Sequence, residues 1–267
     1  MDLRFIINDY IIIWYLLFQT TESEELNKIK QKLWTNHKEE YNNIYQDKST
    51  IFEDYKNYIP SDDTIYNVVI ETKRYEKIKN NVEKYRKFLM STWDANKKSI
   101  NRILRSILRI NIVPYDIFIV NRNLNILDTS IENTKNRGNI VIGKDDNNFI
   151  NTIFNLLLTI LRKEIKVDKE TKEPIARSII ELIVLNELPT RLTNKSTYIS
   201  GRVELNDLKR QIYPFWLMYL GIKKEDLNKY MERDKITFNI DDYKYNKHLS
   251  RMDIEEFIDF IYDEFKK

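Results

Sequence analysis

Asp241 and Asp242, followed by Tyr243 and Lys244, set two carboxylates and an ammonium at the end of the short apolar run KITFNI. Carboxylates there can hold Mg²⁺ while a lysine stabilises developing charge, which is the chemistry of metal-dependent hydrolases and nucleases. Residues 190–202, TRLTNKSTYISGR, offer different chemistry. Arg191, Lys195, Ser196, Tyr198 and Arg202 combine cations with hydroxyl donors, which suits anion binding in a loop, although an ordinary polar connection has the same composition. The third set is the segment 71–109, with twelve Lys/Arg against four Asp/Glu; it is +8, leaving −5 for the rest of the chain. Lys97, Lys98, Arg102 and Arg105 form its candidate basic face, and Tyr75, Tyr85 and Trp93 are interleaved. Such a helix can track phosphates or an acidic partner. The alternative is a solvated face on a helix whose aromatics belong to the core.

The stretch FINTIFNLLLTILRKEI, residues 149–165, carries Asn151, Thr152 and Asn155, and the next apolar helix carries Glu181 and Asn186-Glu187. In spacing and order these residues resemble a degenerate gluzincin-type, zincin-like metallopeptidase fold over residues 112–188. The resemblance places Asn151 and Asn155 where the two histidines of H-E-x-x-H share one helix face, and Thr152 where the glutamate handles water. Glu187, preceded by Asn186, or else Glu181, takes the place of the third ligand. What it implies is a vestigial site at Asn151, Thr152, Asn155, Glu181 and Glu187 with no zinc, because neutral carboxamide oxygens are poor ligands beside imidazole. Read from the residues alone, Asn151, Asn155, Thr159, Arg162 and Lys166 are the polar stripe of an amphipathic helix. Ile150, Ile153, Phe154, Leu157, Ile160 and Leu161 are its buried side.

Composition excludes several other classes. The chain has no cysteine, so disulfides, thiolate clusters and cysteine nucleophiles are absent, and its only histidines are His37 and His248. Four glycines make no phosphate-cradling G-x-G-x-x-G or Walker run. Hydrophobic residues are 42%, enough for a core across 267 residues, and 44 basic against 41 acidic groups leave +3. The N-terminal run MDLRFIINDYIIIWYLLFQ is interrupted by Asn8 and Asp9 and is too short to span a bilayer. It lacks a basic leader and cleavage site, so it reads as a buried helix or strand of a cytoplasmic protein, with interfacial membrane contact as the alternative.

The positioning elements follow from periodicity. Apolar residues at steps of three and four over 22–59 predict a long helix stopped by Pro60. A second is predicted over 63–109, with a break near Ser91 and the stripe Ile78, Val82, Tyr85, Leu89, Trp93, Ile100, Ile103, Leu104 and Ile107. Two such helices joined at a proline should pack antiparallel. YDIFIV and LNILD, around Asn121-Arg122-Asn123, predict a β-hairpin, and NIVIG a third strand. The helix IARSIIELIVLNEL is predicted to end at Pro189, Pro214 to kink or restart the next one, and Gly221 to cap it. The aromatic run IYPFWLMYLG reads as core. KITFNI is a candidate fourth strand, and Ser250-x-x-Asp253 a capping box for a last helix over 251–265.

The expected fold is therefore α+β, predominantly α-helical, with a long antiparallel helical hairpin on a small body of short strands and helices. The expected division is a helical region 1–110 and an α+β body 111–267. The expected function is non-catalytic binding of another macromolecule, with no cofactor or metal. Alternatives are a hydrolase or nuclease using Glu181, Glu187 or Asp241/Asp242, and nucleic-acid binding through 71–109.

Overall fold

The structure, a computed structural model, describes residues 1–18, 24–39, 41–42, 69–120, 137–143, 149–168, 170–193, 199–233 and 244–267. The protein is a predominantly helical α+β protein with a small parallel sheet. Strand β1 spans Leu3–Ile6 and helix α1 spans Asp9–Phe18, so the apolar N-terminus, expected as a helix or a strand, forms one of each. Asn8 and Asp9 divide them: the Asn8 carbonyl accepts the Ile12 amide, and Asp9 puts a carboxylate in the first turn, where the helix dipole favours it. Helix α2 covers Glu24–Asn36 and buries Leu26 and Leu33. Most of the remaining first arm of the expected hairpin, and its joint at Pro60, lie outside the described residues.

Helix α3 runs unbroken for 36 residues, Lys73–Leu108, capped by the Thr72 hydroxyl on the Tyr75 amide. The break expected near Ser91 does not occur. The Ser91 and Thr92 hydroxyls both bond back to the Phe88 carbonyl, at 2.9 Å each, and so leave the backbone ladder intact. Its whole predicted stripe is buried, together with Tyr75. Arg109 ends it with φ 57°, a left-handed conformation unusual for a side-chain-bearing residue. The cost is offset by its guanidinium, which donates to the carbonyls of Tyr219 and Met252 and lies 4.7 Å from the Tyr219 ring centre.

Strands β2 (Tyr115–Val120) and β3 (Gly138–Gly143) complete the sheet in the order β1-β2-β3, every pairing parallel. The LNILD half of the expected hairpin lies outside the described residues; β2 itself is the central strand, paired on both edges. A parallel pair needs a long crossover instead of a tight turn, and α1 to α3 lie between β1 and β2 in the chain. The central strand β2 is buried on both faces over residues 115–119, as its near-continuous apolar sequence requires. At Gly138 an added Cβ would fall within the buried Tyr115 ring, which packs over that residue.

The register puts Arg4, Asp116 and Asn139 in one row. Asp116 is buried and accepts from Arg4 (Nε, 2.7 Å, and Nη2) and from Arg137 Nε (2.6 Å). Burial by itself raises its carboxyl; the hydrogen bonds from Arg4 and Arg137, followed by their charges, outweigh that and hold it below the ordinary carboxylate range. A depressed carboxylate stabilises the fold above its unfolded pKa of about 3.9 and ceases to as pH falls through its folded value. Urea midpoints measured between about pH 5 and 2 should therefore fall less steeply in Asp116→Asn, by up to one proton. An unchanged slope would mean that this carboxylate does not drive acid unfolding.

The chain divides into two compact units, Met1–Trp93 with Val113–Phe149 and Asp94–Ile112 with Ile150–Lys267. The first holds the sheet, α1, α2 and most of α3. The second holds the end of α3 and α4 (Phe149–Glu164, from Ile150 onward), followed by α5 (Glu173–Glu181) and a π-helical stretch (Leu182–Glu187). It continues with α6 (Leu188–Thr193), α7 (Asn206–Tyr219), α8 (Leu227–Arg233) and α9 (Ile254–Phe265). Its core includes the aromatic run as expected: Trp216 and Tyr219 stack at 5.3 Å, and Tyr219 stacks on Phe257 at 4.5 Å. The Tyr219 hydroxyl donates to the Ile107 carbonyl, and burial pushes its phenol up.

Helix α7 passes through Pro214 without restarting, and Gly221, at φ 80°, ends it in a Schellman cap. The Gly221 amide bonds Met218 O and the Ile222 amide bonds Leu217 O, both at 3.0 Å. The last helix is capped three residues later than expected. Asp253 accepts from Glu255 and Glu256 amides while the Glu256 side chain accepts from Asp253 N, so the box is Asp253/Glu256, and Ser250 belongs to a preceding 3-10 turn. KITFNI lies outside the described residues. No described helix is long and apolar enough to cross a membrane.

Candidate anion-binding cluster

Pro189 does not end its helix, contrary to expectation, and the reason leads to the site. The six residues before α6 form π-helical turns, with the Leu188 amide reaching back to Ile183 O. This wider winding, frequent at functional sites, accommodates a proline that has no amide to donate. The Leu185 carbonyl, which an ordinary turn would pair with residue 189, instead accepts the Ser200 hydroxyl at 3.3 Å. Glu187 thus sits within a continuous run of helical turns.

Ser200, Gly201 and Arg202 then pass over the end of α5. Gly201 has φ 109°, a conformation open to glycine, and an added Cβ would press into the Glu181 carboxylate. That close approach lets the Arg202 amide donate to Glu181 Oε2 at 3.0 Å. Lys209, from α7, donates to the same oxygen at 2.8 Å and to the Ser200 carbonyl at 2.8 Å. Glu181 is 2% exposed and Lys209 0%, so this ion pair lies wholly inside the protein.

Around it stand more cations than carboxylates. Arg202 Nε lies 3.8 Å from Glu181 Oε1, and Arg177 pairs with Glu173. Arg162, on α4, is held below the usual guanidinium range, first by burial, then by the charges of Arg202 and Arg177, with Glu181 and Glu173 acting in the opposite sense. Among these six groups, four cations face two carboxylates, a local charge of +2. The Nε donors of Arg162 and Arg177 are buried without a hydrogen-bond partner among the described residues. An idle buried donor costs about 1–3 kcal/mol, which an added acceptor offsets.

The expected site residues distribute as follows. Arg202, from the candidate anion loop, and Glu181, from the candidate vestigial site, come together. Lys195, Ser196 and Tyr198 lie outside the described residues, as do Asp241 and Asp242. Arg191 bonds Glu187 at 3.0 Å and Ser106 at 3.4 Å. Asn151 and Asn155 are exposed and Thr152 is buried. Glu181 and Glu187 are both engaged with cations, and no group of three or more metal-binding side chains occurs among the described residues. On the basic face, Lys98, Arg102 and Arg105 are exposed while Lys97 pairs with Asp94 at 2.9 Å. Tyr75, Tyr85 and Trp93 are buried, so they provide no stacking platform for bases.

Sequence reasoning did not single out Arg162, Arg177 or Lys209 as site residues. Lys209 carried a signal: with Leu205, Ile212, Tyr213 and Trp216 it occupies an apolar helical stripe, where a lysine needs a buried partner. No protein-family model, curated protein or solved structure matches this chain.

Proposed function

We propose that this is a non-catalytic binding protein that takes an anionic group of a macromolecular partner at Arg162, Arg177 and Arg202, in a degenerate shell of the zincin kind. The carrying observation is the cluster's positive charge beside donors lacking acceptors. The charges of Arg177 and Arg202 oppose that of the partly buried Arg162, and an arriving anion relieves the repulsion. Glu181 and Lys209 serve the site by fixing the backbone that carries Arg202. The absence of histidine from the positions of Asn151 and Asn155, and the engagement of Glu181 and Glu187 by cations, support a shell without metal chemistry.

Thermal midpoints at constant ionic strength test this reading. Phosphate or citrate should raise the midpoint of the second unit by several degrees over chloride, as ligand linkage of about 2.7 kcal/mol at a hundredfold excess over Kd requires. Arg162→Gln should lose that response. Equal responses in the two proteins would remove the binding site, and a rise with Zn²⁺ in the wild type would overturn the non-catalytic half of the reading.

A further inference from the structure

We propose that α3 binds single-stranded nucleic acid along a face made by Lys73, Lys77, Lys84, Lys87 and Phe88. This face belongs to the first unit and is independent of the arginine cluster. At about 100° and 1.5 Å per residue, the four lysines fall within an arc of about 80° and extend about 21 Å along the helix. All four are exposed, and none makes a side-chain hydrogen bond or ion pair among the described residues. Lys79, off this face, shows the contrast: it pairs with Asp9 at 3.1 Å. Glu76 and Glu83 project to one flank and pair with none of the four. In a chain of 44 basic and 41 acidic groups a solvated face ordinarily mixes its signs. Here Lys73 and Lys77, and again Lys84 and Lys87, set like charges one turn apart, a repulsion that a row of phosphates removes.

Phe88 decides the occupant. Its side chain is 55% exposed, one turn beyond Lys84 on the same side of the helix. Met90, also exposed, points about 160° away from it, so this face carries a single apolar side chain. An acidic protein segment would need an apolar patch for the core of its interface, which one ring does not supply. One ring beside cations that track a backbone is what an unpaired base stacks on. The bases of a duplex stay within their own stack and do not reach it. Lys98, Arg102 and Arg105 lie further along α3, in the second unit, and the site does not require them.

Fluorescence anisotropy of the full chain with labelled oligothymidine of about sixteen nucleotides, between about 50 and 200 mM salt, tests the proposal. The slope of log affinity against log salt should be about −3, at about −0.7 per phosphate for four lysines. Lys84→Glu combined with Lys87→Glu should weaken binding roughly tenfold or more and flatten the slope by about 1 to 1.5. Phe88→Ala should weaken binding about fivefold or more at an unchanged slope, since a stacked base releases no counterions. These side chains are exposed, and circular dichroism checks that each variant is folded. Displacement of the oligonucleotide by polyglutamate, with Phe88→Ala silent, would give the face to an acidic protein segment and overturn the proposal. Tighter binding of a duplex would overturn the single-strand assignment. No binding, or binding that the paired lysine substitutions leave unchanged, would remove the site.

Discussion

Lys209→Met should be among the most damaging single changes in the second unit, destabilising it by about 3–5 kcal/mol. The substitution keeps the volume and apolar stem of a fully buried side chain and removes only the ammonium. What remains is a Glu181 carboxylate, 2% exposed, that has lost its 2.8 Å partner and retains the Arg202 amide and, at 3.8 Å, the part-exposed Arg202 guanidinium. The Ser200 carbonyl loses its donor at the same time. At about 2–4 °C per kcal/mol for a protein of this size, the thermal midpoint should fall by roughly 6–20 °C. Glu181→Leu alone should be similarly costly, because it strands the ammonium. The double variant should lie within about 1–2 kcal/mol of the wild type, since a buried ion pair replaced as a pair by apolar groups is often nearly neutral. Because two compact units can unfold separately, hydrogen exchange at the Arg202 amide gives the local readout. Nearly neutral single variants would mean that water reaches Lys209 in solution.

The same pair shows where sequence reading reaches and where it stops. The stripe of α3 was legible from Ile78 to Ile107 because burial on one face of a long helix imposes a period that local sequence records. Gly221 was legible as a cap because only a left-handed residue closes that motif. The parallel sheet was not, since Arg4 meets Asp116 across 112 residues and the residues between them do not encode the pairing direction. Pro189 misled through a sound local rule that the π-helical turns override. At the C-terminus two overlapping patterns, Ser250-x-x-Asp253 and Asp253-x-x-Glu256, compete, and the second wins because Asp253 adopts the extended cap conformation.

For the candidate site, sequence yielded its parts as members of different sites. Glu181 drew notice as a vestigial ligand and Arg202 as a loop cation, and nothing in their spacing of 21 residues announces that one backbone amide joins them. Arg162 reads as the solvated stripe of an amphipathic helix until its neighbours from two other segments are known. Convergence of like charges is a tertiary property, and helical periodicity contains no trace of it.

Gly201→Ala should therefore strike both stability and binding, at about 3–5 kcal/mol, from backbone strain of about 1–3 kcal/mol plus a weakened charged hydrogen bond. At φ 109° an alanine is strained whatever space surrounds it. Space is also lacking: the new Cβ would lie 2.8 Å from Glu181 Cδ and 3.0 Å from Leu185 Cδ1, closer still to the carboxylate oxygen. Glu181 cannot simply turn away, because Lys209 and the Arg202 amide hold it from two other directions. Either the carboxylate leaves its ammonium or the turn lifts and carries Arg202 out of the cluster. Both lower anion affinity, even though residue 201 presents no group to a ligand. Placing Gly201→Ala in a Glu181→Ala background separates the contributions, since the steric conflict with the carboxylate then vanishes and only strain and the Leu185 contact remain. The two substitutions should thus be less than additive by about 1–2 kcal/mol in chemical denaturation. Strict additivity would show that the turn and Glu181 do not constrain one another, and the positioning role of the buried ion pair would have to be abandoned.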